Sequence, residues 1–139
     1  NNCFPYSITQ EYKKIADKEF YRLLEVRRYF NGPVYKLIHR DIIGKRRFDV
    51  SFKNGEDSLF MFLISDRISI MTFTSKDAIY YRRYRQNSAT TKKRYLGEKF
   101  NNTLNLSVEY SKIYFRNPLQ YNFWFYLTRM LAAIKNIFD

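Results

Sequence analysis

The sequence predicts a mainly β domain with flanking helices: about seven antiparallel strands, closed by a C-terminal helix and preceded by an N-terminal one. Three observations predict it. Between Val34 and Phe115 the apolar residues fall into short runs separated by turn-forming residues, as strands do. Aromatic residues make up 19% of the chain, with 13 Tyr and 13 Phe, and both types favour half-buried pleated surfaces. At each end of the chain the apolar residues instead recur at steps of three and four, the spacing of one helix face.

The first element is a helix over 7–30. Ser7 and Gln10 have capping-box spacing, and Tyr12, Ile15, Ala16, Phe20, Leu23 and Leu24 form its apolar side. Asn31-Gly32-Pro33 stops it. Strands are expected at 33–39, 45–53, 58–64, 67–74, 78–85, 103–109 and 112–116. In the second, Phe48, Val50 and Phe52 alternate with Arg47, Asp49, Ser51 and Lys53, and Asn54-Gly55 follows as a hairpin signal. Ser65-Asp66 reads as the next turn, and 86–102 as a long basic loop. In the last helix Asn117 is the expected cap and Pro118 the first helical residue. Trp124, Leu127, Leu131, Ile134 and Phe138 make one stripe; Phe123, Tyr126, Met130, Ala133 and Ile137 make a second. Two apolar sides imply contact with both the sheet and the N-terminal helix. Because 119–138 contains Gln120, Asn122, Arg129 and Lys135, it reads as a buried helix and not as a membrane span. Residues 1–31 are thus expected to be a helical extension, and 32–139 the strand-rich body.

A chain of 139 residues suits one hydrophobic core. Lys and Arg total 25 against 13 acids, a net charge of +12, so the field attracts polyanions: nucleic acid, an anionic leaflet or an acidic protein. The single cysteine, Cys3, excludes an internal disulfide and points to a reducing compartment. The sequons Asn101-Asn102-Thr103 and Asn105-Leu106-Ser107 matter only in a secreted protein. One His and one Cys are poor material for nucleophilic catalysis or a zinc site, and there is no Gly-rich phosphate loop. The chain therefore reads as non-enzymatic, with no catalytic residue, metal or cofactor.

Gly32-Pro33-Val34-Tyr35-Lys36 is similar to a Gly-x-Leu-x-Lys opening strand. Lys45-Arg46-Arg47-Phe48-Asp49-Val50 is similar to a second strand of the form Trp-Lys-x-Arg-aromatic-aromatic-Leu, with Gly44 in place of Trp and Asp49 in place of an aromatic. Lys112-Ile113-Tyr114-Phe115 precedes a capped helix carrying Trp124. In this order, over 32–138, the segments resemble the pleckstrin homology (PH) domain superfamily. The resemblance implies a seven-stranded antiparallel barrel or sandwich plugged by the Trp124 helix. Phe62-Leu63-Ile64-Ser65-Asp66 after a leading helix is similar to the PH domains of guanine-nucleotide exchange factors. Were Met-Gly to precede Asn1, Cys3 would sit as a palmitoylation site beside a myristoylation site, as in acylated PH-like proteins of apicomplexan parasites.

The family's phosphoinositide pattern is Lys, a loop, then Lys/Arg-x-Arg. Carried onto this chain, it implies headgroup binding by Lys36, Lys45, Arg46 and Arg47, with His39 and Arg40 on the connecting loop and Ile42-Ile43 at its tip. Arg grips phosphate through a planar fork and Lys as a point charge. A second basic patch holds Arg82, Arg83, Arg85, Lys92, Lys93 and Arg94. The expected function is a cytoplasmic, peripherally membrane-associated module that binds phosphoinositide or phosphatidic acid. One alternative is a protein-binding scaffold of the same fold, its partner surface on the C-terminal helix around Phe125 and Tyr126. The other is a nucleic-acid-binding or ribonuclease toxin domain, in which Tyr80-Tyr81-Arg82-Arg83-Tyr84-Arg85 would stack and pair with phosphates and His39 would be a candidate for chemistry.

Overall fold

The computed structural model describes Tyr12 and residues 18–75, 77–81 and 95–138, the last without its side chain. Among these, four helices are formed: α1 (Arg40–Ile43), α2 (Glu56–Leu63), α3 (Leu96–Arg116) and α4 (Phe123–Phe138), with 3-10 turns at Arg27–Asn31 and Ser65–Arg67. No sheet is present among the described residues. A single antiparallel bridge joins Tyr21 to Met71 through N–H···O bonds of 2.8 and 3.0 Å. The fold is helical, which overturns the mainly β expectation and with it the seven-stranded PH-like barrel.

Three of the displaced strands have a plain physical reason. The run 58–64 is apolar at almost every position, so it carries no period to separate strand from helix. It folds as α2, which buries Leu59, Phe60, Met61 and Phe62 in succession. Asn54-Gly55 is no hairpin: Gly55 sits at φ +90° as the N-cap of α2, so the same left-handed preference starts a helix. The runs 103–109 and 112–116 are one helix. Thr103, Leu106 and Tyr110 are buried and Ile113 half-buried, at steps of three, four and three. Ser111, which lies between the two runs, donates to the Ser107 carbonyl at 2.8 Å and sits inside α3 without interrupting it.

Residues 33–39 and 45–53 form irregular chain around α1; of 67–74, Arg67 ends a 3-10 turn and the rest is irregular chain carrying the lone bridge at Met71. Of 78–85, only 78–81 are described, and among the described residues they form no strand. The expected helix over 7–30 fails in its second half. Lys18–Val26 is turn and coil, and Arg27–Asn31 is a 3-10 turn; apart from helical Tyr12, its first half lies outside the described residues. The C-terminal helix is present but begins five residues late. Asn117 to Gln120 make a turn closed at 3.0 Å, and Asn122 is the cap, its Oδ1 accepting from the Phe125 N–H at 2.9 Å.

α3 and α4 pack antiparallel. Tyr114 stacks on Tyr126, Ser111 Oγ bonds the Tyr126 hydroxyl at 2.9 Å, and Thr103 Oγ1 donates to the Ala133 carbonyl at 3.2 Å. α2 lies across them. Its Phe62 is surrounded by Tyr110, Tyr121 and Phe125 at ring separations of 5.3, 5.3 and 5.7 Å. Tyr21, Val26, Tyr29 and Phe30 belong to the same core, so residues on both sides of Gly32 share one interior. Arg129 ties that N-terminal segment to α4. It is buried, donates to Asn31 Oδ1 at 2.8 Å and to the Arg27 carbonyl at 3.2 Å, and lies 5.0 Å over the Phe125 ring. Burial pulls its pKa down from the ordinary arginine value.

Candidate functional site

The six cations expected to meet a headgroup are dispersed into different tasks. Lys36 is half-buried. Its ammonium donates to the Gly32 carbonyl at 2.6 Å and the Val34 carbonyl at 3.2 Å, and lies 4.1 Å over the Tyr35 ring. Burial brings its pKa down to about 8, against the opposing pull of Asp57. Arg46 makes a two-pronged pair with Asp66, whose side chain is nearly buried, and that carboxylate raises the pKa of Arg46. Both cations are thus engaged within the chain. His39 caps α1, its Nδ1 accepting from the Asp41 N–H at 3.4 Å. His39, Arg40, Lys45 and Arg47 are exposed. The second basic patch, Arg82, Arg83, Arg85, Lys92, Lys93 and Arg94, lies outside the described residues, as does Cys3. Of the Tyr/Arg run, exposed Tyr80 and Tyr81 are described.

The C-terminal helix also faces otherwise than expected. Phe125, read as partner surface, is 0% exposed and sits in the core against Phe30 and Phe62, while Tyr126 is half-buried against Tyr114. Trp124, expected to plug a barrel, is 62% exposed. The helix divides into three faces. Phe125 and Arg129 turn to the core, Tyr126, Met130 and Ala133 to α3, and Trp124, Leu131 and Ile134 to solvent with half-buried Leu127 between them.

That outward stripe continues onto α3. Leu96, Phe100, Leu104, Val108 and Phe115 are exposed large apolar residues and fall on one side of the helix by their spacing. Along α3, against Met130 of α4, runs a shallow groove lined by Leu104, Ser107, Val108, Ser111 and Phe115, with Lys112 at its edge. At the α3–α4 corner the apolar surface is densest. Leu119 is fully exposed, and Phe115, Phe123 and Trp124 stand partly free around the stacked Tyr114–Tyr126 pair. Scattered exposed apolar residues need no explanation, but a cluster of neighbouring large ones calls for one.

Cations stand beside the corner. Lys112 and Arg116 are exposed on the last turns of α3. With Arg47 and Asp49 they rim a second cleft of about 250 Å³, floored by Leu59, Phe60, Leu63 and Ile113. Its carboxylates are satisfied locally: Asp49 accepts from the Ser51 N–H and hydroxyl, which hold its pKa below the ordinary value, and Glu109 pairs with Lys112 at 2.6 Å. Lys112 lines both the cleft and the apolar groove. Among the described residues no three His, Cys, Asp or Glu side chains are placed to hold a metal ion, and no helix is long and apolar enough to cross a membrane. No family model, curated protein or solved structure matches this chain.

The apolar corner was missed because the resemblance assigned Trp124 to the interior. A signal for it was present: Trp124, Leu127, Leu131 and Ile134 repeat at three and four on a helix whose other sides already carry Phe125 and Tyr126. One globular core does not cover three apolar sides.

Proposed function

We propose that this chain is a non-catalytic, peripheral membrane-binding module that lays the outer face of its α3–α4 hairpin on an anionic lipid surface. The observation that carries the reading is the exposed corner of Phe115, Leu119, Phe123 and Trp124 at the end of the helix that carries exposed Lys112 and Arg116 on its last turns, with Arg47 across the cleft that those two cations rim. Trp and Phe favour the depth of lipid headgroups, where one end of the side chain is apolar and the other wet, and basic residues at the border of an apolar face reach the phosphates. The net charge of +12 favours the cytoplasmic leaflet, whose lipids are anionic. Leu119, which has no flat face for a base to stack on, favours lipid over nucleic acid as the occupant of the corner.

The magnitudes rank the two forces. The four corner residues leave on the order of 500 Å² exposed, taking full areas of about 150–250 Å² for large side chains. Burying half of that at about 25 cal/mol per Å² is worth roughly 6 kcal/mol, whereas three cations near an anionic leaflet add at most about 1 kcal/mol each, and Lys112 less because Glu109 pairs with it. Insertion therefore contributes more than charge, and salt weakens binding without abolishing it.

Sedimentation with phosphatidic acid or phosphoinositide vesicles at about 150 mM salt tests this. The protein is expected to pellet with anionic vesicles and to remain in the supernatant with phosphatidylcholine alone. Leu119→Asp with Trp124→Ala is expected to release it. A folded protein that ignores every anionic vesicle under these conditions refutes the membrane reading. If it instead captures a protein through the same face, the scaffold alternative takes its place.

A further inference from the structure

The cleft beside the corner has its own chemistry. Its floor is apolar, made by Leu59, Phe60 and Leu63 of α2 and Ile113 of α3, and its rim carries Arg47, Lys112 and Arg116. We infer that it takes a phosphomonoester amphiphile, with the phosphate held at the rim and the first carbons of the chain on the floor. This rests on the membrane reading and deepens it by naming the lipid class that the module singles out.

Three observations support that occupant. First, Arg47 is positioned in advance: its Nη1 donates to the Gly44 carbonyl at 3.2 Å and the Arg46 carbonyl at 2.7 Å, which holds the guanidinium in place while the side chain stays exposed. Second, the rim carries three cations against two acids, and one of those acids, Glu109, is already paired with Lys112 at 2.6 Å, so the net charge of the cleft favours an anion. Third, Lys112 is shared with the apolar groove, so the cleft opens at the margin of the face proposed to lie on the leaflet. The volume, about 250 Å³, lies just under the range of about 300–1,000 Å³ typical of small-molecule pockets. It holds a head and a short length of chain, and not two full acyl chains. A dianionic monoester draws more from two arginines than a phosphodiester with a single charge, and the apolar floor separates the amphiphile from free phosphate.

The test uses soluble probes, so that it does not depend on vesicles. Octyl phosphate below its aggregation concentration, inorganic phosphate and octanol are titrated into the full chain by calorimetry. Octyl phosphate is expected to bind at least tenfold tighter than either of the others. Arg47→Ala with Arg116→Ala is expected to weaken it tenfold or more, as is Ile113→Trp, which fills the floor. Circular dichroism checks that each variant is folded. Octyl phosphate that binds no better than inorganic phosphate, or that is indifferent to the paired arginine change, overturns the inference. Vesicle sedimentation on the same samples separates the two claims: anionic vesicles bound without octyl phosphate overturn the cleft alone, while octyl phosphate bound without vesicles upholds the cleft and removes the membrane reading.

Discussion

Replacing Phe62 by Ala probes the helical core where it is densest. Phe62 lies on α2 and is 0% exposed, with its ring stacked on Tyr121, edge-on to Tyr110 of α3 and tilted against Phe125 of α4. Truncating a buried Phe costs about 3–5 kcal/mol, and a site walled by three large rings on different segments collapses poorly, which places this one near the upper end. For a chain of 139 residues the unfolding entropy is about 0.3 kcal/mol per degree near 60 °C, so a loss of about 4 kcal/mol lowers the thermal midpoint by roughly 13 °C. Urea denaturation followed at 222 nm measures the loss directly. Met61→Ala belongs in the same experiment. A strand over 58–64 would send Met61 and Phe62 to opposite faces, whereas α2 buries both, so Met61→Ala is expected to cost about 2–5 kcal/mol as well. A cost under about 1 kcal/mol for either variant, the size of a surface substitution, would refute this packing.

Three further outcomes follow from particular contacts. Asp66→Ala leaves Arg46 partly buried without its carboxylate and is expected to cost about 2–4 kcal/mol by urea denaturation, while Arg46→Met with Asp66→Leu recovers much of that; equal losses in the two variants would argue against the pair. At Gly55, where φ is +90° and an added Cβ would lie 2.5 Å from Leu106 Cδ1, Ala is expected to destabilise by about 2 kcal/mol; at Gly97, where nothing stands within 4 Å, Ala is expected to stabilise α3 by up to about 1 kcal/mol. The folded pKa of Lys36, about 8, lies below the 10.5 of the free side chain. Between those values the unfolded chain keeps a proton that the folded chain has lost, so stability rises with pH across the window, by on the order of 1 kcal/mol once its partial exposure is allowed for. Burial raises the pKa of Tyr110 and Tyr121 above 10.0, which acts in the opposite sense at still higher pH, so urea midpoints are compared between pH 8 and 10, with Lys36→Met expected to flatten the rise.

The ends and the middle of the chain differ in how legible they were. The C-terminal helix could be read because its apolar residues recur on several helical faces at once, although Asn122 and not Asn117 caps it. α3 was written in the sequence at Thr103, Leu106, Tyr110 and Ile113, but Val108, Tyr110, Ile113, Tyr114 and Phe115 suggested strands, and tertiary burial overrode that propensity. α2 has no period to read, since four consecutive apolar positions are all buried. The cationic strings around Lys36 and Arg47 were visible, but their division was not. Whether a cation reaches solvent or is tied to a carbonyl or carboxylate depends on Gly32 and Asp66, and nothing in the local spacing signals either contact. The apolar corner depends on the turn over 117–122, which places Phe115, Leu119 and Trp124 at one end of a helical hairpin.

Trp124 is the only tryptophan in the chain, and it stands in that corner, so its fluorescence reports on the proposed contact without any label. Titrating the protein with phosphatidic acid vesicles at physiological salt is expected to shift its emission to the blue and to make it quenchable by lipids brominated near the headgroup, with neither change on neutral vesicles. Emission that stays at its water-exposed wavelength while the protein is pelleted with those vesicles would mean that the α3–α4 corner is not what meets the membrane.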